Sequence, residues 1–549
     1  MKVYERLASA FIAEGVNTIF GMMGDGNMYW MDALDKLGMK MLEVRHEGVG
    51  CGMADGWARV TRTPGVCTAT CGPGTSQLAT ALLTASRADS PMVAFVGEYP
   101  TVDEEYIQRL DQARFAAACE TGFVRIVSPG TADAAVRKAF YLAKLESRPI
   151  MLSAPMDIQQ LPFDDDEPYQ PSSTLLASRV ISPDANGLKQ AADMIAASRK
   201  PVILVGRGAM WSGAGDAVVK LGNRIGALIA TTLRAKGWLT ENDYHVGISG
   251  HYTTKTAMKL FEDADCVIAV GASLNRFTIM GNLLYPNAKF VHIDPKPHVL
   301  MGGGRSADVY LQADGRVGLE ALDALLAQRS VKSTGYRTAD VKKSLTRHFE
   351  DPAEFLVEPG TIDPREICLA LDEIVPSTIP LATGSGASNG FTNMLFNRPR
   401  PFVMGAQFYG CIGQMLPAAM GAMAATGNKP MLLVDGDAST MMHLADFDTA
   451  VRYNMPLLIV VLNDQALGSE YHKMLAHNMK AELSTIPTPN IGAVAQALGG
   501  KGCLATTIEE VRAAATAWVA NPCPMIVDAR ISRNVQTLST RRIIYAKDE

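Results

Sequence analysis

Short apolar runs recur along the chain between stretches whose apolar positions repeat at helical spacing, and that alternation predicts β-strands wrapped by helices. In the first block the runs are Thr18-Ile19-Phe20, Met41 to Val44, Gly65 to Thr70, Met92 to Val96 and Pro149 to Leu152. An acidic, Pro-rich stretch from Leu161 to Pro168 breaks the rhythm and reads as a linker. A second block carries predicted strands at Pro201 to Val205, Leu228 to Thr231, Cys266 to Val270 and Lys289 to Ile293. A polar segment around Ser330 to Lys343 separates it from a third, with strands at Ile379 to Ala382, Met431 to Val434, Leu457 to Leu462 and Met525 to Val527. Strands alternating with helices give an α/β chain of three doubly wound parallel-sheet domains, over 1–165, 183–330 and 355–549. The first and third blocks match in size and layering and are expected to share a fold.

Bulk properties narrow the picture. At 549 residues the chain exceeds one core, and a 48% hydrophobic share with only 19% charged residues predicts large buried sheets. A net charge of −5 leaves no footprint for nucleic acid or an anionic membrane. There is no 18-residue apolar run, and Lys2, Glu5 and Arg6 begin an amphipathic helix where a signal peptide would stand. Nine cysteines lie singly, without a CxxC pair, which predicts buried thiols in a reduced cytoplasmic protein.

The candidate chemistry concentrates between Val434 and Glu470. An apolar strand ends at Gly436-Asp437-Ala438-Ser439, a helix follows, and a second apolar strand ends at Asn463-Asp464. Both aspartates are thereby expected at the carboxyl ends of neighbouring parallel strands, where open α/β sheets bind ligands. Gly436, Ala438 and Ser439 let peptide N–H groups at a helix start approach a diphosphate. A hard cation such as Mg²⁺, held by one or two carboxylates and phosphate oxygens, would complete the site. In the middle block Gly206-Arg207-Gly208 and Gly213-Ala214-Gly215 follow the strand Pro201 to Val205. Without an acidic partner at the next strand end, this glycine cluster is read as structural.

The GDA…ND spacing resembles the thiamine diphosphate signature of the acetolactate synthase and pyruvate decarboxylase superfamily. That resemblance implies thiamine diphosphate and Mg²⁺, with Asp437 and Asp464 as side-chain ligands and the Ala466 carbonyl as the third. Asp464 stands where most relatives have Asn, adding one negative charge. Leu467 is counted with the cofactor contacts. Arg45-His46-Glu47-Gly48 and the small-residue helix after it resemble the RHEQ segment, which makes Glu47 the residue that activates the cofactor's aminopyrimidine and His46 structural. Cys71-Gly72-Pro73-Gly74 resembles the SGPG turn against the pyrimidine. Gly410-Cys411-Ile412-Gly413 resembles the GTMG loop, with Gly410 offering its carbonyl and Ile412 acting as the wedge that bends the cofactor. Flavin-binding relatives have an Arg-Phe-Asp-Asp-type run where this chain has Val270 to Phe277, so FAD is not expected. The domains that carry Glu47 and the metal site come from different subunits in relatives, which implies a homodimer or homotetramer with active sites at the subunit interface.

The reaction type is less constrained. Gly24-Asp25-Gly26-Asn27 resembles the GDYN loop of 2-oxo acid decarboxylases, and Glu470 falls at their pocket Glu. Gln108 lies in a stretch closer to synthases and lyases. Asp25, Gln108 and Glu470 join Glu47 as candidate catalytic residues. The favoured expectation is decarboxylation of a small 2-oxo acid with carboligation to a carbonyl acceptor. A simple decarboxylase releasing an aldehyde, or a 2-hydroxyacyl-CoA or oxalyl-CoA type lyase, stands behind it, and the lyase would need an ADP-binding Arg/Lys cluster in the middle domain. A non-catalytic cofactor-binding regulator is the outside class. Tyr471, His472 and His477 are read as a solvated helix face near the site.

Overall fold

The computed structural model describes residues 1–164, 167–175, 180–296, 300–405 and 408–545. Its strands form three all-parallel six-stranded sheets. The first contains β1 (Thr18–Gly21), β2 (Lys40–Glu43), β3 (Gly65–Ala69), β4 (Met92–Glu98), β5 (Gly122–Arg125) and β6 (Pro149–Pro155). The second contains β7 (Pro201–Val205), β8 (Leu228–Thr231), β9 (His245–Ile248), β10 (Cys266–Val270), β11 (Lys289–Asp294) and β12 (Val309–Gln312). The third contains β13 (Leu381–Thr383), β14 (Val403–Gly405), β15 (Met431–Gly436), β16 (Leu457–Asn463), β17 (Lys501–Ala505) and β18 (Met525–Arg530). Strand order is β2-β1-β3-β4-β6-β5 in the first sheet and β14-β13-β15-β16-β18-β17 in the third, the same topology, as the matched layering predicts. The middle sheet runs β12-β11-β10-β7-β8-β9, the 3-2-1-4-5-6 arrangement of doubly wound dinucleotide folds.

Central strands such as β4, β7 and β16 are buried at every position, because helices cover both faces of each sheet. The sequence misses five strands, β5, β9, β12, β14 and β17, and all five lie at sheet edges. An edge strand needs one neighbour and carries less apolar surface, so Gly122-Phe-Val-Arg or Lys501-Gly-Cys-Leu-Ala gives no strong pattern. The stretch read as a linker begins as a strap on the first domain. Val3 N donates to the Leu161 carbonyl at 3.0 Å, and Phe163 is buried; Asp165 and Asp166 of that stretch lie outside the described residues. The polar segment after Ser330 packs back on the middle sheet through Tyr336 and Leu345.

One core runs through two domains. The helix Glu47–Thr61 of the first packs on the helix Met415–Ala425 of the third, and side chains of both enter a single hydrophobic cluster. Glycine permits the approach: a Cβ on Gly56 would lie 1.9 Å from the Ala418 carbonyl oxygen, and one on Gly421 would lie 1.8 Å from that of Met53. The nine cysteines are free, six of them buried. Among the described residues no helix is long and apolar enough to cross a membrane.

Candidate active site

At the carboxyl edge of the third sheet, the loops after β13, β15 and β16 open into a cleft. Gly436 pairs with Leu462, so Asp437 and Asp464 leave adjacent parallel strands side by side, as the spacing predicts. Asp437 is 2% exposed, and its Oδ2 is buried with no hydrogen-bond partner among the described residues. Burial, reinforced by the neighbouring Asp464, pushes the Asp437 carboxyl up to about 7. Burial pushes Asp464 up to about 6. Two neighbouring carboxyls that resist ionisation together, Asp437 buried with an orphan oxygen and Asp464 half-buried, fit a hard cation between them. Among the described residues no three His, Cys, Asp or Glu side chains are grouped to hold a metal unaided, so an ion here needs backbone or phosphate oxygens as well.

The rest of the cleft suits an anion. The helices Asp437–Met442 and Ala387–Leu395 begin at Gly436 and Gly386, and neither start has a side-chain cap. Ser385, Gly386, Ala387, Ser388, Ala438 and Ser439 line the cleft, which places both uncapped starts at its wall. The side chain of Ser439 is already engaged. It donates to Asp435 Oδ2 at 2.7 Å and accepts from Gly413 N at 2.8 Å, tying this turn to the Gly410 loop. Of that loop only Ile412 lines the cleft. The Gly410 carbonyl accepts from Ser385 Oγ at 3.2 Å, and Cys411 Sγ lies 3.1 Å from Thr84 Oγ1 of the first domain. Ala466, Leu467 and Glu470 do line it, Glu470 half-exposed and 3.0 Å from Lys473 Nζ. His472 departs from the solvated-face reading: it is buried, with Nδ1 3.0 Å from the Tyr545 hydroxyl.

The remaining sequence candidates gather on the first domain. His46 caps the helix that opens with Glu47, accepting from Gly48 N at 3.0 Å. Glu47 Oε1 would lie 3.2 Å from a methyl on Gly74, and Gly72 takes a left-handed φ of 55° against the Gln108 backbone. Cys71 Sγ donates to Gln108 Oε1 at 3.0 Å. Asp25 is exposed, and its charge helps push up the neighbouring Cys71 and Tyr106, in which burial is the larger cause. Asp25, Glu47, Gly72, Pro73, Gly74 and Gln108 thus surround one face of the first domain, and none of them lines the cleft of the third.

Residues 1–115, 188–325 and 384–529 match the family models for the N-terminal TPP binding, central and C-terminal TPP binding domains of thiamine pyrophosphate enzymes. Acetolactate synthase isozyme 2 large subunit of Escherichia coli (strain K12) is 30% identical over 534 residues, 95% of this chain and 94% of that protein. The chain belongs to the acetolactate synthase-like thiamine pyrophosphate enzymes. An acetolactate synthase large subunit from Parasynechococcus marenigrum is 28% identical over 96% of this chain and 87% of its own length. Sulfoacetaldehyde acetyltransferase from Castellaniella defragrans is 26% identical over 92% and 88%.

In this thiamine pyrophosphate enzyme the cleft also holds residues that sequence reasoning missed. Gly384-Ser385-Gly386-Ala387-Ser388 follows a strand as a small-residue helix start, the same signal that singles out Gly436 to Ser439. Arg533 gave no signal, since it reaches the cleft from beyond β18 and lies in no motif.

Proposed function

We propose that this enzyme uses thiamine diphosphate and Mg²⁺ to decarboxylate a small 2-oxo acid and join the remaining acyl fragment to a carbonyl acceptor. The observation that carries the reading is the orphan Asp437 Oδ2 beside Asp464, flanked by two uncapped helix starts. Asp437, Asp464 and the Ala466 carbonyl would hold the ion, and the N–H groups after Gly386 and Gly436 the diphosphate. Ile412 and Leu467 would pack on the ring system. When bound, the cofactor supplies an electron sink for the pair released from the bond beside the substrate carbonyl.

Glu47 would hold a proton in its hydrogen bond to the pyrimidine ring nitrogen. Gln108 has its Oε1 taken by Cys71, and its Nε2 would donate to the acceptor's carbonyl oxygen. Asp25 and Glu470 would carry protons between solvent and the substrate oxygens. Because Glu47 stands outside its own chain's cleft, a second copy would bring it over the metal site. The exposed apolar side chains on both faces support that arrangement: Val102 (87% exposed) and Ile107 (94%) beside Gln108, and Met442 (57%) and Leu483 (73%) around the metal strand.

One observation favours the acyl-CoA lyase as a second reading. Arg207, Arg234 and Lys296 of the middle domain meet Asp89 at 2.8, 3.8 and 3.3 Å, the kind of Arg/Lys cluster that this reading requires. Burial lowers Arg207 to about 9 and Arg234 to about 10, and three cations on one carboxylate leave positive charge for a nucleotide phosphate. Calorimetry of thiamine diphosphate added to EDTA-treated protein, with and without Mg²⁺, tests the site; no uptake in either case ends the proposal. Pyruvate turned over to acetolactate or acetoin supports ligation, acetaldehyde alone a simple decarboxylase, and turnover confined to acyl-CoA substrates the lyase.

A further inference from the structure

Arg533 is the only Arg or Lys among the described residues lining the cleft. It follows β18, whose Arg530 pairs with Asn463 at the end of β16, so the chain delivers it beside the metal turn. Its Nε and Nη2 both donate to the Asp464 carbonyl, at 3.1 and 2.5 Å, and its ring-stacked plane lies 5.4 Å from the centre of Tyr471. The turn it grips is strained. Gln465 takes a left-handed φ of 55°, with Gln465 N donating to Asn463 Oδ1 at 3.1 Å and Ala466 N to Asp464 Oδ1 at 3.0 Å. A non-glycine residue in that conformation is strained and persists where its surroundings hold it.

Two carboxylates and a diphosphate around one divalent ion carry one more negative charge than an Asp and Asn pair would, and a half-buried guanidinium at the same turn offsets it. We infer that Arg533 is the positioning residue that lets an aspartate serve at 464: it neutralises the extra charge and fixes the turn that presents the Asp464 side chain and the Ala466 carbonyl. This rests on the Mg²⁺ and thiamine diphosphate reading above.

The test titrates thiamine diphosphate calorimetrically into protein saturated with Mg²⁺, reading binding rather than turnover, for native protein, Arg533→Gln, Asp464→Asn and the double variant. Arg533→Gln is expected to weaken uptake of the anionic cofactor by about tenfold or more in the native background and by no more than about threefold in Asp464→Asn, a coupling within the range for charged neighbours. Arg533→Lys, which keeps the charge and loses the twin contact, is expected to fall between native and Arg533→Gln, because a point charge does not hold the turn as the planar fork does. Equal losses in both backgrounds, unaltered uptake in Arg533→Gln, or a Lys variant as weak as the Gln variant would overturn the inference. No uptake by the native protein would instead overturn the cofactor reading itself, so the two failures are distinguishable.

Discussion

Replacing Asp437 by Asn should stabilise the metal-free protein while abolishing its capacity to bind the ion. The buried carboxyl stands at about 7, against an ordinary value of 3.8, because burial disfavours its charge and Asp464 beside it adds to the cost. Its folded-state value is raised, so the ionised form opposes folding: the cost is absent below the unfolded value, grows as pH rises past 4, and is complete above about 7. At about 1.4 kcal/mol per pH unit the full cost reaches roughly 4 kcal/mol, an upper limit because water entering the cleft reduces it. Asn removes that charge at equal size and also relieves Asp464, whose carboxyl stands close by. The assay is a thermal unfolding series on EDTA-treated native and Asp437→Asn protein from pH 4 to 8. The variant's third domain should melt higher at pH 8 by roughly 2–4 °C for each kcal/mol relieved, with the difference closing toward pH 4. Saturating Mg²⁺ and thiamine diphosphate should reverse the order at pH 8, since only the native protein gains binding energy. A variant no more stable than native at pH 8 without ligands, or one equally stabilised at pH 4, would refute the reasoning.

Two further outcomes bear on the same architecture. Glu47→Gln should leave calorimetric uptake of thiamine diphosphate within about threefold of native and lower turnover by at least about a hundredfold, the scale of lost acid–base help; near-native turnover would remove Glu47 from the mechanism. Gly56→Val should lower the thermal midpoint markedly and weaken cofactor uptake with it, because the new Cβ meets a backbone oxygen at 1.9 Å that cannot retreat without parting the helices. Overpacking of this kind costs about 1–3 kcal/mol or more, and an unchanged midpoint would show that the helix pair is not tightly registered.

Local patterns made the metal turn legible. Asp437 and Asp464 are each fixed by an apolar strand ending in small or polar residues, and parallel pairing of β15 with β16 brings such ends together whatever the remainder of the chain does. The Gly72 turn and the helix that opens at Glu47 were legible through their resemblance to family segments, while the cap that His46 supplies to that helix was not. The edge strands β9, β12 and β14 were not, because their stability comes from one neighbour and from burial that the sequence does not mark. Arg533 was equally hidden: it lies 69 residues from the carbonyl it grips.

The sequence alone therefore determined the central strands of each sheet, the strand ends that carry the carboxylates and the anion-ready helix start after Gly436, all consequences of spacing within a few turns of chain. Only the tertiary structure decided that Glu47 sits outside its own chain's metal cleft, that Cys411 turns to Thr84, and that Arg533 closes on Asp464. Those outcomes depend on how whole helices and sheets pack against one another. Packing is set by shape and burial summed over many distant residues, so no short stretch of sequence contains it.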